Sequence, residues 1–310
     1  KMRDHDSSHI DYIFCWSGST DLIIAIIKLL EDSLNADADI LGGGVQCILL
    51  VEDSVRYYST YLPLLYKLVI QQNVAALDDA LNEEQQIFRK RARPKILMAT
   101  NYYDAVSLFG RYKDQLLGVI SDIGFVRRKG DSPETEKLDA GIDLCRLIRS
   151  EVPKMPVLMQ SSQESMRSVA EGIGAGFLLK QSKMLTHELG EYIGREFGFG
   201  DFVVTDKRLH QIARASDLQG AERIIETIPE ACLAALREKN YISRWLLARG
   251  IFKVGNKIKN TVYPDMPSLR ADVVRLIHEY RTSQGLGVVA RFDPDSYNDT
   301  IGFARIGDGP

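Results

Sequence analysis

Five short, mostly apolar runs punctuate the first two thirds of the chain, at 47–51, 95–99, 117–121, 156–160 and 176–179. Between them, apolar residues recur every three or four positions, the spacing that sets one helix face against a core. The run CILLV at 47–51 carries no charged residue, as expected of a central parallel strand covered on both faces. Helices are predicted over 54–91, 102–112, 140–150, 165–173 and 183–197. Pro63 should bend or break the first of these early. Leu144, Cys145 and Ile148 share one face of the third, and Leu185, Leu189 and Ile193 one face of the last. The charged stretch 125–137, with Gly130 and Pro133, reads as an inserted loop. Strands and helices in strict alternation predict an α/β fold with a doubly wound, five-stranded parallel sheet.

The flanks differ from this pattern. Residues 10–16 form an apolar, aromatic-rich run read as a buried strand, and 22–30 an apolar helix ending near Asn35. Together, 1–36 looks like the last strand and helix of another α/β unit. Residues 37–44 close in three glycines and read as a linker; the glycines precede their strand, so they do not form a phosphate loop. Beyond the Gly198-Phe-Gly200 hinge, a strand at 202–204 and helices at 221–228, 241–247 and 267–281 predict a smaller, α-rich C-terminal connector.

Composition narrows the classes. The 310 residues are 45% hydrophobic and 26% charged, as in a globular protein. Lys plus Arg number 39 against 42 Asp plus Glu, a net charge of −3, so no global basic field exists to hold nucleic acid. No helix-turn-helix pattern is present, which disfavours DNA binding. The longest apolar run is interrupted by Lys28 and the first ten residues are polar, so neither a membrane helix nor a signal peptide is predicted. Four scattered cysteines read as reduced thiols of a cytoplasmic protein, and five histidines lack metal-ligand spacing. The sequence opens without Met and closes on GDGP in mid-phrase, and reads as a fragment.

The candidate chemistry lies at strand ends. Ligands of an open parallel sheet bind outside the carboxyl ends of its strands. There the first strand ends in Glu52-Asp53, the third in Asp122, the fourth in Ser161-Ser162 and the fifth in Lys180. Clustered carboxylates repel unless a cation joins them, and hard oxygen ligands suit Mg²⁺. Central Asp122 is then the candidate nucleophile for a phosphoryl group, Glu52 and Asp53 hold the metal, and Ser161 and Lys180 contact the transferred phosphoryl. Singly, each residue has a plainer role: loop acid, turn cap, helix N-cap or surface charge. Their joint placement carries the site. Arg244, Arg249, Lys253, Lys257 and Lys259 make a locally basic stretch, read first as a solvated helix face. The alternative is contact with a tethered domain or a phosphate ligand.

The phrases ILLVEDS (48–54), VISD (119–122), GIDLC (141–145), PVLMQSS (156–162) and GAGFLLK (174–180) resemble a response-regulator receiver domain over 45–200. The resemblance implies a flavodoxin-like sheet of order 2-1-3-4-5 and phosphorylation of Asp122 by a phosphohistidine of a histidine kinase or phosphotransfer protein. It also implies the main-chain carbonyl of Gly124 as an extra metal ligand, with Ser161 and Phe177 as switch residues. Three features depart from the family. IGFV (123–126) stands where Met-Pro is usual, Gln181 stands where Pro is usual, and the first helix is longer by about 71–91.

The phrases IARASDL (212–218), YISRWLLARG (241–250) and FARIGDG (303–309) resemble the segment before a phosphoenolpyruvate synthase-like catalytic domain. In that family the last phrase opens a Gly-rich, nucleotide-binding region of the ATP-grasp kind. The implied map is an α/β tail (1–36), a linker (37–44), a receiver (45–200), a connector (201–302) and the start of that region (303–310). A receiver regulating a tethered PEP/pyruvate-binding phosphotransferase follows, whose own phosphohistidine is a further possible donor to Asp122. The competing expectation is a pseudo-receiver, an interaction module that is never phosphorylated. An aspartate-nucleophile phosphohydrolase is disfavoured, because Gly124 occupies the position of its second Asp.

Overall fold

The structure, a computed structural model, describes residues 12–16, 18–78, 92–128, 130–131, 139–206, 208 and 210–289, without the side chains of 75–78 and 283–289. Strands β1 (Cys47–Val51), β2 (Lys95–Ala99), β3 (Leu116–Asp122), β4 (Val157–Ser161) and β5 (Gly176–Leu179) pair in parallel, in the order β2-β1-β3-β4-β5. This is the flavodoxin-like order. The strands alternate their side chains between two cores. Cys47, Leu49, Val51, Val119, Val157 and Met159 face one side. Ile48, Leu50, Ile120, Leu158 and Leu178 face the other. Both sides are apolar because helices cover both, which is why these strands read as unbroken apolar runs.

Helix α1 (Asp21–Ala36) precedes β1, and α2 (Val55–Asp78) follows it as one continuous helix that carries Pro63 within it. The rest of the predicted extension, 79–91, lies outside the described residues. Helices α3 (Tyr102–Tyr112), α4 (Ala140–Glu151), α5 (Arg167–Gly172) and α6 (Leu185–Phe197) complete the layers. A 3-10 turn, Glu164–Met166, opens the helix predicted from 165.

The N-terminal expectations need correction. Residues 12–16 are irregular rather than a buried strand, and Ile13 and Trp16 are exposed. They lean on α2 through Phe14 against Tyr58 and a Cys15 N–H donated to Ser59 Oγ at 3.0 Å. Nor is 37–44 a free linker: Asp37–Gly42 continues α1 as a π-turn and buries Ile40 completely. Helix α1 itself belongs to the sheet layers, since Ala25 and Leu29 share a core with Ile48 and Leu50. It caps the edge strand. Buried Asp32 accepts the Ile96 N–H of β2 at 2.9 Å, the Tyr66 hydroxyl at 3.0 Å and the Arg93 guanidinium. A carboxylate carried by a helix thus satisfies backbone that an edge strand otherwise leaves open.

The C-terminal region holds a hairpin of β6 (Phe202–Thr205) and β7 (Gln211–Ala215). Five helices follow: α7 (Leu218–Thr227), α8 (Glu230–Glu238), α9 (Tyr241–Ala248), α10 (Phe252–Asn260) and α11 (Met266–Val289). The region is helix-rich as expected, but β7, α8 and α10 escaped the sequence reading. Its core gathers Phe202, Leu233, Trp245, Leu269 and Val273. The Gly198-Phe-Gly200 hinge is a fixed joint. Gly198 is left-handed (φ +82°), and a Cβ there would meet the Trp245 backbone at 2.8 Å. Phe199, Leu247 and Ala248 lie in the core of the sheet domain.

In the basic stretch, Lys253 and Lys257 are exposed as a solvated face requires, but Arg244, Arg249 and Lys259 depart from both expectations. Arg244 is buried and donates to the carbonyls of Glu196 (2.7 Å), Lys154 (3.1 Å) and Lys239 (2.9 Å). Arg249 donates to Gly198, Gly200 and Trp245 carbonyls, and Lys259 to that of Asp114 at 2.7 Å. These cations staple the connector to the amino end of the sheet, opposite the acidic strand ends. Neither solvation nor a phosphate explains Arg244, Arg249 and Lys259. Residues 303–310 lie outside the described residues.

Candidate functional site

Each chemical side chain stands where its strand stops. Glu52 and Asp53 follow β1, Asp122 ends β3, Ser161 ends β4 and Lys180 follows β5. Parallel strands in register deliver these ends to one rim: Asp122 lies level with Gln160, and Ser161 with Leu179. Glycine makes the approach close. A Cβ on Gly141 would lie 2.1 Å from the Asp122 carbonyl, so only glycine lets α4 begin beside that strand end. The Gly141 N–H then donates to the Ile123 carbonyl at 2.8 Å.

Oxygen atoms of Glu52, Asp53 and Asp122 lie within 4.8 Å of one another. The buried Lys180 ammonium bridges two of them, 2.7 Å from Glu52 Oε2 and in hydrogen-bond contact with Asp122 Oδ2. Asp122 Oδ1 accepts the Ile123 N–H at 2.7 Å, and Glu52 Oε1 the Ser54 N–H at 3.1 Å. Asp53 Oδ2 accepts the Val126 N–H at 3.3 Å, which ties the opening of the 125–137 insertion to the acidic rim.

The electrostatics are unbalanced. Burial pushes the Glu52 carboxyl up, the Asp122 charge adds to the rise, and Lys180 opposes it; the result is about 8. Burial likewise raises Asp122, against the pull of Lys180. For Lys180, burial works against the ammonium, but the two carboxylates outweigh it and hold its pKa above the usual lysine value. Three carboxylates face one cation, and the imbalance is met by Glu52 holding its proton up to about pH 8. Glu52 Oε2 is buried and, among the described residues, has the ion pair with Lys180 but no hydrogen bond of good geometry. An oxygen-only, acid-rich, incompletely satisfied cluster fits a hard divalent cation.

The other predicted residues are less closely joined to this centre. The Ser161 hydroxyl accepts the Gln163 N–H at 3.1 Å, which is the plain capping role. The Gly124 N–H bonds to Asp122, placing its peptide beside the acid. Phe177 is partly buried against the core that holds Val157 and Met159, with the Arg167 guanidinium 4.7 Å from its ring centroid. Two tyrosines of α2 were missed by sequence reasoning. Tyr57 lays its ring 4.3 Å from Lys180 Nζ and stacks on Tyr61. The buried Tyr61 hydroxyl has no hydrogen-bond partner among the described residues, nor has the side-chain amide of Gln160. Burial, then Glu52 and Asp122, raise the Tyr61 pKa. The available signal was helical spacing: 57 and 61 fall one turn apart on the helix that leaves Glu52-Asp53. A cavity of about 760 Å³, lined by Arg149, Tyr192, Arg195 and Arg244, lies at the amino end of the sheet and shares no residue with the acidic cluster.

No protein-family model matches the sequence, and no curated protein matches it. Among solved structures, the chain is similar to a response regulator receiver domain protein from Clostridium thermocellum. Identity is 19%, over 49% of this chain and 94% of that one, with a TM-score of 0.32. A likeness that faint adds no weight to the fold or the chemistry, which stand on the sheet order and on the side chains themselves. Among the described residues no helix is long and apolar enough to cross a membrane.

Proposed function

We propose that residues 45–200 act as a receiver, accepting a phosphoryl group on Asp122 from a phosphohistidine of a histidine kinase or phosphotransfer protein. The observation that carries this reading is the convergence of Glu52, Asp53, Asp122 and Lys180 on one rim. Asp122 supplies the attacking carboxylate oxygen: its O–P bond forms as the donor's N–P bond breaks, and the electron pair stays on the donor nitrogen, so that the imidazole leaves neutral when its other ring nitrogen already carries a proton and otherwise takes one from solvent. The Ile123 N–H holds one Asp122 oxygen, and Lys180 holds the other while offering positive charge to the incoming phosphoryl oxygens. Glu52, Asp53, Asp122 and the Gly124 carbonyl are the groups that would hold Mg²⁺. When bound, the metal supplies charge that relieves carboxylate repulsion and stabilises the phosphoryl oxygens. Ser161 is the hydroxyl nearest in strand order to receive a phosphoryl oxygen, and Phe177 the ring whose rearrangement would relay the event. The resemblance of 212–218, 241–250 and 303–309 to a PEP synthase-like protein supports a tethered phosphotransferase as the regulated partner, in the cytoplasm.

The pseudo-receiver remains the second reading, favoured by Lys180 already bridging two carboxylates and by Gln181 and the insertion. Intact mass spectrometry separates the two. The chain, incubated with acetyl phosphate and Mg²⁺, should gain one phosphoryl group that chelation of the metal prevents. Absence of any adduct, together with no Mg²⁺-dependent binding of beryllofluoride, leaves the pseudo-receiver.

A further inference from the structure

Helix α1 is apolar on two sides. Leu22, Ala25, Leu29 and buried Asp32 face the sheet. On the outer side, Ile23, Ile27, Leu30 and Leu34 are 48, 58, 44 and 85% exposed, with Ile24 beside them at 48% and Trp16 just before the helix at 61%. A surface helix ordinarily turns polar residues outward, and a helix apolar all round is ordinarily buried. Here the one buried carboxylate points inward to the edge strand, while the outer face is aliphatic. The pattern is therefore not loose packing of a marginal helix: α1 is anchored by Asp32 with Arg93, Tyr66 and the Ile96 N–H, and presents its outer face on a fixed mount.

The stripe has a regular spacing. Positions 23, 27, 30 and 34 are separated by four, three and four residues, the alternation that makes a seam between two helices. It is also self-complementary. Under a twofold axis between Ile27 and Leu30, Ile27 meets Leu30 and Ile23 meets Leu34 of an antiparallel copy. The Lys28–Glu31 ion pair at 2.6 Å flanks the seam. The five aliphatic side chains, 44 to 85% exposed, offer a contiguous patch of roughly 500 Å², at the upper end for a monomer. Two such patches bury about 1,000 Å², the area at which a specific interface becomes credible.

We propose that the occupant of this face is a second copy of the chain, joined by antiparallel α1–α1 packing into a twofold dimer. The contact buries the seam symmetrically, leaves both acidic rims to their own copies, and needs no residue of the phosphoryl site. It is thus independent of the proposed function.

Sedimentation equilibrium over a range of micromolar concentrations tests the dimer directly. The wild-type chain should approach twice the monomer mass, with a dissociation constant in the micromolar range. Ile27→Glu/Leu30→Glu should remain monomeric, and so should the uncharged variant Ile27→Ser/Leu30→Gln, each keeping the wild-type circular-dichroism spectrum because the replaced side chains face outward, and each losing the rise of melting temperature with concentration that the dimer confers. Asp122→Asn should dimerise like the wild type. A wild-type chain that stays monomeric throughout, or a dimer that survives in the folded double variants, overturns the proposal.

Discussion

The two ends of the sheet each bury a cation, and they do so in opposite company. At the carboxyl end, Lys180 sits beside Glu52 and Asp122, with Asp53 close by; carboxylates outnumber the cation and Glu52 is pushed up to about 8. At the amino end, Arg244 meets neutral carbonyls of Glu196, Lys154 and Lys239. Burial lowers its pKa to about 10, opposed by the Glu196 charge, which leaves it a cation in neutral solution. Carbonyls have no protons to lose, so the amino end keeps one state over the physiological range. Carboxylates exchange protons, metal and phosphoryl groups. The difference separates a mount from a responsive site: the connector is fixed to one end of the sheet, while chemistry is free to happen at the other.

Lys180→Met breaks the comparison most severely. Removing one partner of a buried ion network costs about 3–5 kcal/mol, provided the remaining carboxylates are charged. Without Lys180 to oppose the rise, Glu52 of the variant holds its proton beyond the wild-type value of about 8, so the loss should be smallest at low pH and grow as pH rises through and past that value. Urea denaturation at several pH values checks this; a loss independent of pH would mean the carboxylates do not repel. Arg244→Met comes next. Three carbonyls lose a charged donor, for about 2–4 kcal/mol of stability, with no dependence on pH near neutrality. Below its own unfolding transition this variant should match the wild type in the acetyl phosphate assay.

The third effect is a pH dependence of Mg²⁺ affinity. Glu52 has its folded pKa raised, so near neutral pH a metal must displace its proton. Affinity should rise with pH by up to about tenfold per unit until about pH 8, and then level off. By the same sign, the metal-free protein gains nothing from ionising this acid and loses stability as pH rises from the ordinary carboxylate range towards about 8. Calorimetric titration of Mg²⁺ across neutral pH measures the slope. A flat profile would place the metal away from Glu52. The smallest effect belongs to Tyr57→Leu, which removes the ring beside Lys180 and should cost about 1 kcal/mol. The same change should leave Arg244 and its end of the sheet untouched.

What was legible in the sequence follows this division. The strands could be read because parallel strands covered on both faces are continuous apolar runs, and the acids and lysine because strand ends are fixed points on such a sheet. Arg244 and Arg249 could not be read. Their partners are backbone carbonyls distant in sequence, and nothing in the local pattern distinguishes a buried arginine from a solvated one. Asp32 was hidden for the same reason: its meaning lies in the Ile96 N–H of an edge strand. Tyr57 was lost within an apolar helix. Strand β7, QIARA, is mostly exposed and lacks the apolar alternation of a half-buried strand, and α10 is rich in lysine and carries Gly255. Tertiary contact, rather than propensity, orders these segments.

The most direct measurement locates the phosphoryl group. The chain is treated with acetyl phosphate and Mg²⁺, the acyl phosphate is reduced with borohydride, and the peptides are mapped by mass. The account predicts homoserine at position 122 alone, and none in Asp122→Asn. Reduction at another carboxylate, or at none while Mg²⁺ is bound, would contradict it.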